Sequence, residues 1–369
     1  MQLLKFELYK ILKQKSIWVT LILLLGMSYL SLIYPFQPEV EKEMYQEWEG
    51  VLSEEKVEKA RREYTLLMNK EEQRLNDEQV IFSDRETMQL WMYQKIILSE
   101  MVKENNAQRL DELDTENTIE AEMEANMIEN IRMNEFSHHS GPAQTIGFVE
   151  FGSFLVLGVM LVLGLSTIYS KEYSSGMDNY LFSSKKGRKP LAWAKIGAAL
   201  IYTLLVVLVW ESFNLIINFI IHGNEGWGMP IQFYTLYMNP AYADSPYAFT
   251  MLEYHLIQLG IHLIAGMAFA LLIVIISSLS KNALITFFIS AAIYISPELL
   301  GMVESLRTIL AFAYISVIRV EFLFNDFKTI NIFGYPILYP IVACIVMVVL
   351  GIICSLGVLR IIKNKEIAS

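Results

Sequence analysis

Residues 151–170 read FGSFLVLGVMLVLGLSTIYS, and none of them is Asp, Glu, Lys or Arg. A helix needs roughly 20 mostly apolar residues to cross the hydrocarbon of a bilayer, so this run reads as a membrane span. Outward from it, Ser16 to Pro38, Tyr254 to Ser280 and Thr329 to Leu359 are equally free of those four residues. Ile196 to Asn224 is interrupted only by Glu211, and Asn282 to Pro297 is a shorter run. The pattern predicts an all-α integral membrane protein with six transmembrane helices, at 17–35, 146–169, 192–221, 251–279, 282–300 and 335–359. The first run is too long for a signal peptide and no small-x-small site ends it, so it reads as an uncleaved anchor. Tyr34-Pro35-Phe36-Gln37-Pro38 should stop it, because proline cannot continue a helix.

The composition of the 369-residue chain agrees. Charged residues are 18%, against about 25% in soluble domains, and mean hydropathy is +0.38. These values exclude a disordered or fibrous chain and argue against an ordinary soluble enzyme. Polarity is concentrated in residues 36–145, which hold 26 of the 39 acidic and 12 of the 29 basic residues, a net −14; the remainder carries +4. With no basic patch interleaved with aromatics, nucleic acid is not an expected partner. Cys344 and Cys354 would lie ~15 Å apart on one helix, too far for a disulfide.

Basic residues predict the orientation. Lys5, Lys10, Lys13 and Lys15 precede the first span; Lys171, Lys185, Lys186, Arg188, Lys189 and Lys195 lie between the second and third; Lys281 separates the fourth and fifth; Arg360, Lys363 and Lys365 follow the sixth. An even number of spans puts all four segments on one side, the cytoplasm, with both termini. The acidic block 36–145 and the segments 222–250 and 301–334 then face outside, and 360–369 is a cytoplasmic tail. The block should be helical. Ser83-Asp84-Arg85-Glu86 has the form of a capping box. Leu90, Tyr93, Ile97 and Met101 make one apolar stripe, and Ile119, Met123, Met127 and Ile131 another. A further helix near 54–75 carries Val57, Tyr64, Leu67 and Leu75. Asn76-Asp77 and Asn105-Asn106 are expected breaks. The charge suits a solvated surface or, alternatively, recognition of a cationic ligand. His138-His139 is a weak signal for metal, since no carboxylate stands at helical spacing from it.

Two cytoplasmic stretches draw a functional reading. Residues 1–16 form an amphipathic helix, with Leu4, Leu8, Ile11 and Leu12 on one face, suited to the inner interface. The loop 170–191 is too polar to span and too short for a domain. It sets Tyr173, Tyr180, Leu181 and Phe182 beside a basic cluster, an arrangement suited to docking a partner or, alternatively, to adhesion of its lysines to the membrane surface.

The order of amphipathic helix, span, external block and span, followed by Glu172-x-x-x-Gly176-x-x-x-x-Leu181, a basic turn with Arg188, and then Lys195, resembles the membrane subunit of bacterial type-2 ABC exporters. The opening Leu4-Lys5-Phe6-Glu7-Leu8-Tyr9-Lys10-Ile11-Leu12-Lys13 is similar to that family's start. The resemblance implies that this loop holds the short coupling helix that contacts a separate ATP-binding subunit. It also implies that two permease chains pair, as homo- or heterodimer, and that 301–334 holds a re-entrant external gate. The chain departs from the family at Met177, where many members have Thr, at Ser183-Ser184, where many have Pro, and in its hundred-residue external region. It has no G-x-x-x-x-G-K-[ST], so ATP and Mg would sit in the partner ATPase, and the chain itself is expected to be a transport subunit without enzymatic activity.

Polar side chains inside spans are costly and often functional. Glu211, Asn214, Asn218 and His222 share one face of the third span, and His255, Gln258 and His262 one face of the fourth. Both stripes fall in the outer half of the bilayer. They fit interhelical hydrogen bonding, the lining of a substrate pathway, or a proton relay through Glu211 and a histidine. No nucleophile with an oriented base can be assembled. The expected function is therefore the permease of an ATP-driven exporter in a bacterial cell membrane, for a peptide, antibiotic or lipid-like substrate. The alternative is a membrane receptor or assembly scaffold with a ligand-binding ectodomain.

Overall fold

A computed structural model describes residues 2–32, 38–76, 81–184, 187–235 and 240–365. The expected stop at 34–37, the Asp77 half of the Asn76-Asp77 break, and Lys185 and Lys186 lie outside the described residues. In chain order the elements are α1 (Gln2–Leu12), α2 (Lys15–Leu32), α3 (Pro38–Trp48), β1 (Gly50–Val51), α4 (Glu54–Asn76), α5 (Asp84–Asp114), α6 (Ile119–Ile128) and β2 (Glu135–Phe136). There follow α7 (Ser140–Leu165), α8 (Ser170–Ser174), α9 (Met177–Ser183), α10 (Lys189–His222), α11 (Met251–Leu279), α12 (Ala283–Leu300), α13 (Glu304–Leu310), α14 (Tyr314–Ile318), α15 (Glu321–Phe324), β3 (Thr329–Ile332), β4 (Tyr335–Leu338) and α16 (Tyr339–Asn364).

Five of these helices, α7, α10, α11, α12 and α16, are long and apolar enough to cross a membrane. A sixth candidate is the pair α1 and α2, which meets at a 59° bend. Among the described residues the chain is thus helical apart from two short two-stranded pairings, β1 with β2 and the hairpin β3–β4, as expected of a multi-pass membrane protein. α7 ends early, at Leu165, and α16 runs on to Asn364, while three span starts also shift. α7 begins at Ser140, ahead of the expected 146, because Gly141, Pro142 and Ala143 are packed against protein and extend the helix beyond its apolar run. α10 begins at Lys189 with Pro190 in its first turn, where a missing N–H costs nothing. α16 begins at Tyr339, not 335, since 335–338 pair antiparallel with 329–332 as β4 and β3. Their two-residue turn places Phe333 (φ 54°) and Gly334 (φ 91°) in the left-handed region that such tight hairpins require. Residues 301–334 thus hold α13, α14 and α15 followed by the strand β3.

The amphipathic helix α1 buries Glu7 and Ile11 at the centre of its inner face, with Leu3, Leu4, Leu8 and Leu12 half-buried around them. This face packs on α10 and α7, so the apolar stripe covers protein, and Phe6 and Tyr9 are the large apolar side chains left exposed on the opposite side.

The acidic block is a helical module between α2 and α7. Ser83 caps α5 as expected, with Glu86 closing the capping box. The stripe along α5 is only half right: Leu90 and Tyr93 are buried, whereas Ile97 is half-buried and Met101 exposed. Met88, Met92, Ile96, Leu98 and Val102 are buried as well. α5 is gripped by α3 and α4, α6, and the turn Ile231–Phe233, so it buries more than one face and a single stripe does not describe it. It also runs unbroken through Asn105-Asn106, where Asn costs a helix only tenths of a kcal/mol and Asn105 reaches Asp244 at 3.3 Å. On α6 the buried positions are Ala121, Glu124 and Ile128; Ile119 is exposed and Met123 and Met127 half-buried, because Glu124 turns inward to meet Arg109 at 2.9 Å. Val57 is buried as expected, Tyr64 and Leu67 are half-buried, and Leu75 is exposed.

The module is seated on the α10–α11 loop. Tyr45, Phe136, His138, His139 and Phe233 pack ring to ring. Ser140 donates to Glu41 at 2.7 Å, and Lys42 meets Glu225 at 2.5 Å. Gly226 lies so close to the backbone of His138 and His139 that any Cβ would collide with it. His138 and His139 thus belong to a packed joint, and no third ligand-type side chain joins them into a metal group among the described residues.

Candidate functional site

The loop that joins α7 to α10 is an elbow of two short helices. α8 ends at Ser174 with Ser175 as its cap, Gly176 takes φ 69°, and α9 starts at once. A residue with a Cβ is strained in that left-handed conformation, which gives the glycine a physical reason. The aromatic residues of the elbow divide. Tyr173 and Phe182 turn inward, Tyr173 stacking on Tyr169, and Lys365 sits over the Tyr173 ring at 3.3 Å. Leu181 is half-buried. Tyr180, 79% exposed, and Met177 are the large residues left on the surface. Arg188 donates to the Lys363 carbonyl at 2.8 Å and so ties the elbow to the last turn of α16.

Glu172 and Lys195, two of the positions that carry the resemblance, face inward. Lys195 is fully buried within α10 and donates to Glu7 Oε2 (2.7 Å), Glu172 Oε1 (2.8 Å) and the Ile168 carbonyl (2.6 Å). Lys10 pairs with both Glu7 and Glu172. Four charges from α1, α8 and α10 thereby lock the elbow to the N-terminal helix. Glu7 was missed in the sequence; its only signal was a lone carboxylate among the apolar positions of an amphipathic helix.

The second cluster lies deep between α7, α10, α11 and α14. His262 Nδ1 contacts Glu211 Oε1 at 2.6 Å, and its Nε2 donates to the Ile318 carbonyl at 3.1 Å. The two polar stripes thus meet directly. Ser153 of α7 lies 3.5 Å from His262 and accepts from Trp210 Nε1 at 3.0 Å. The Trp210 ring lies where a Cβ on Gly152 would stand, so glycine is what lets α10 approach here. Gln258 donates to Glu150 (3.0 Å) and faces His255 (3.4 Å), which stands 4.0 Å from Glu211. Asn214 and Asn218 turn back to the carbonyls of Trp210 and Asn214, and Ser28 of α2 reaches Asn214 Oδ1 at 3.3 Å. All six expected pathway residues are buried.

Sequence reasoning missed Glu150 and Ser153. Glu150 is buried, accepts from Tyr254 (3.0 Å), and takes the backbone N–H of Glu321 at 2.6 Å, so it holds the start of α15. Its signal was available, as a carboxylate inside the second predicted span. The carbonyl of Ile318 and the N–H of Glu321 come from main chain, which no side-chain pattern announces. Together they fasten the α13–α15 segment over the cluster at two points.

No known family model matches this chain, nor does any curated protein or solved structure.

Proposed function

We propose that the chain is the membrane subunit of an ATP-driven exporter of the type-2 ABC kind, paired with a second permease chain and driven by separate ATP-binding subunits that carry ATP and Mg. The observation that carries the reading is the elbow. It lies at the end of α7 opposite the acidic module and offers Tyr180 and Met177 outward. Through Glu172, Lys195 and Arg188 it is joined to α1, α10 and α16. A push on such an elbow reaches three other helices through ion pairs and a hydrogen bond. An ATPase drives transport only by binding two states of the permease differently, and a rigid exposed lever is what that requires. Under the positive-inside rule the elbow and both termini face the cytoplasm of a bacterial cell and the acidic module faces outside. Glu211, Asn214, Asn218, His255, Gln258 and His262 are then the positions where a path would open as α14 lifts from His262.

A photoreactive residue replacing Tyr180 tests this in the native host membrane. The expected product is a crosslink to a polypeptide bearing a P-loop motif, lost when Gly176→Pro deforms the elbow. A folded chain that captures no such polypeptide overturns the reading and favours the receptor alternative.

A further inference from the structure

The tip of the hairpin β3–β4 carries a strained aromatic residue. A two-residue turn of this kind needs positive φ at both central positions, and Asn-Gly is a favoured pair. Here the first position is Phe333, the sole residue other than glycine with positive φ among the described residues. A side chain with a Cβ is strained in that conformation. The ring gains nothing from its own chain in return, since Phe333 is 99% exposed. Tyr335, the next residue after the turn glycine, is 71% exposed. Strain held at such a tip points to a contact made outside the chain.

The register of α16 in the bilayer indicates the partner. No Asp, Glu, Lys or Arg stands between Thr329 and Leu359. A ~30 Å hydrocarbon layer takes ~20 residues of helix, so with Arg360 at one edge Pro340 stands at the other. The N–H of Tyr339 donates to the Lys328 carbonyl at 2.9 Å and roots the hairpin at that edge. The headgroup layer adds ~5–8 Å on each side, and a four-residue strand is ~13 Å long. An uncharged hairpin thus starts among headgroups. Tyr is enriched at that depth, and Phe is one of the residues that bury there. A second copy of the chain fits the tip less well. Two aromatic side chains bury at most ~500 Å², below the ~800 Å² per partner of a stable protein interface.

We propose that Phe333 and Tyr335 are a lipid anchor. The hairpin tip sits in the bilayer leaflet at the Tyr339 end of α16 and ties the neighbouring α13–α15 segment to it. The partner is the phospholipid interface itself, since an uncharged hairpin selects no headgroup by charge. The inference rests on α16 being a span and not on any ATPase, so the test uses this chain alone.

Cys344 and Cys354 are the only cysteines of the chain, and Cys344→Ser/Cys354→Ser provides a background for single labels. A nitroxide is attached at Phe333→Cys in phosphatidylcholine nanodiscs. Val349→Cys, exposed midway along α16, and Glu116→Cys, exposed on the acidic module, serve as references. Collisions with oxygen, which concentrates in the bilayer, are compared with collisions with a water-soluble nickel chelate in chains that keep the parent unfolding temperature. Hydrocarbon excludes the chelate, so the oxygen-to-nickel ratio at position 333 should exceed that at 116 by about fivefold, with 349 higher still. A ratio equal to that at 116 puts the tip in water and overturns the proposal. Shielding from both reagents puts it against protein and overturns it as well. A label at 349 that reports water removes the span, and the proposal falls with it. Two unlabelled variants test the ring. Phe333→Asn gives the turn a favoured residue, so a tip without a partner would gain amide protection in β3 and β4. An anchor that has lost its ring should instead lose protection about tenfold in the nanodisc, and Phe333→Trp should keep it. A gain in Phe333→Asn would overturn the proposal.

Discussion

Lys195 is the residue on which the most charge depends. A lysine with no exposed surface persists because Glu7, Glu172 and the Ile168 carbonyl surround its ammonium. Removing one partner of a buried pair leaves an uncompensated charge and costs about 3 kcal/mol or more. Lys195→Met is therefore expected to lower stability by that amount in detergent unfolding. Adding Glu7→Gln should recover part of the loss, because residues in one network are not additive; strict additivity of the two changes would show that they do not interact. At the second cluster, a double-mutant cycle on Glu211→Gln and His262→Ala should give a coupling of about 1 kcal/mol, the scale of interhelical hydrogen bonds in membranes. A coupling of zero would mean that the 2.6 Å contact contributes nothing to packing.

At the scale of elements, the elbow and the start of α5 are specified locally. Gly176→Ala places a Cβ at φ 69° and should cost about 1 kcal/mol, seen as faster amide exchange confined to α8 and α9. For α5, Ser83→Ala removes a cap worth about 1 kcal/mol. Its partner Glu86 is held down to about 2 by the Lys70 ammonium and by the N–H and hydroxyl of Ser83. An unpaired carboxyl titrates near 4.5, so the capping contribution is complete above that pH and falls away as pH drops toward 2. Protection of the first amides of α5, taken relative to their intrinsic exchange rates, should fall in that window in the native chain and stay low throughout in Ser83→Ala.

At the scale of the molecule, the acidic module is joined to the spans through a titratable aromatic seat. Burial holds His139 well below the usual histidine range, with Lys95 opposing its charge further; burial also lowers His138, against the pull of Glu41 and Glu225. The seated module therefore keeps His139 neutral, while an unseated one takes up a proton near 6.5. The sign follows: seating is full above pH ~6.5 and weakens as pH falls below it. Proteolysis within residues 38–139 should rise between pH 7.5 and 5.5, and the rise should vanish in His138→Gln/His139→Phe. A native chain whose cleavage is flat over that range would exclude the histidines as the seat's titrating groups.

Apolar runs and the cap of α5 were legible in the chain because each depends on residues within a turn or two. Residues 151–170 read as a span for their own composition, and Ser83 with Glu86 as a helix start for their own spacing. Facing pairs between distant segments were not legible. Nothing local tells Glu7 that Lys195 will stand against it, or Glu211 that His262 will, since the bundle's packing sets those neighbours. The same packing turned Tyr173 and Phe182 inward, left Tyr180 out, and brought the carbonyl of Ile318 onto His262. Local chemistry determined the helices; only the tertiary structure decided which buried charges and open backbone groups would meet, because desolvation penalises every arrangement that leaves them alone.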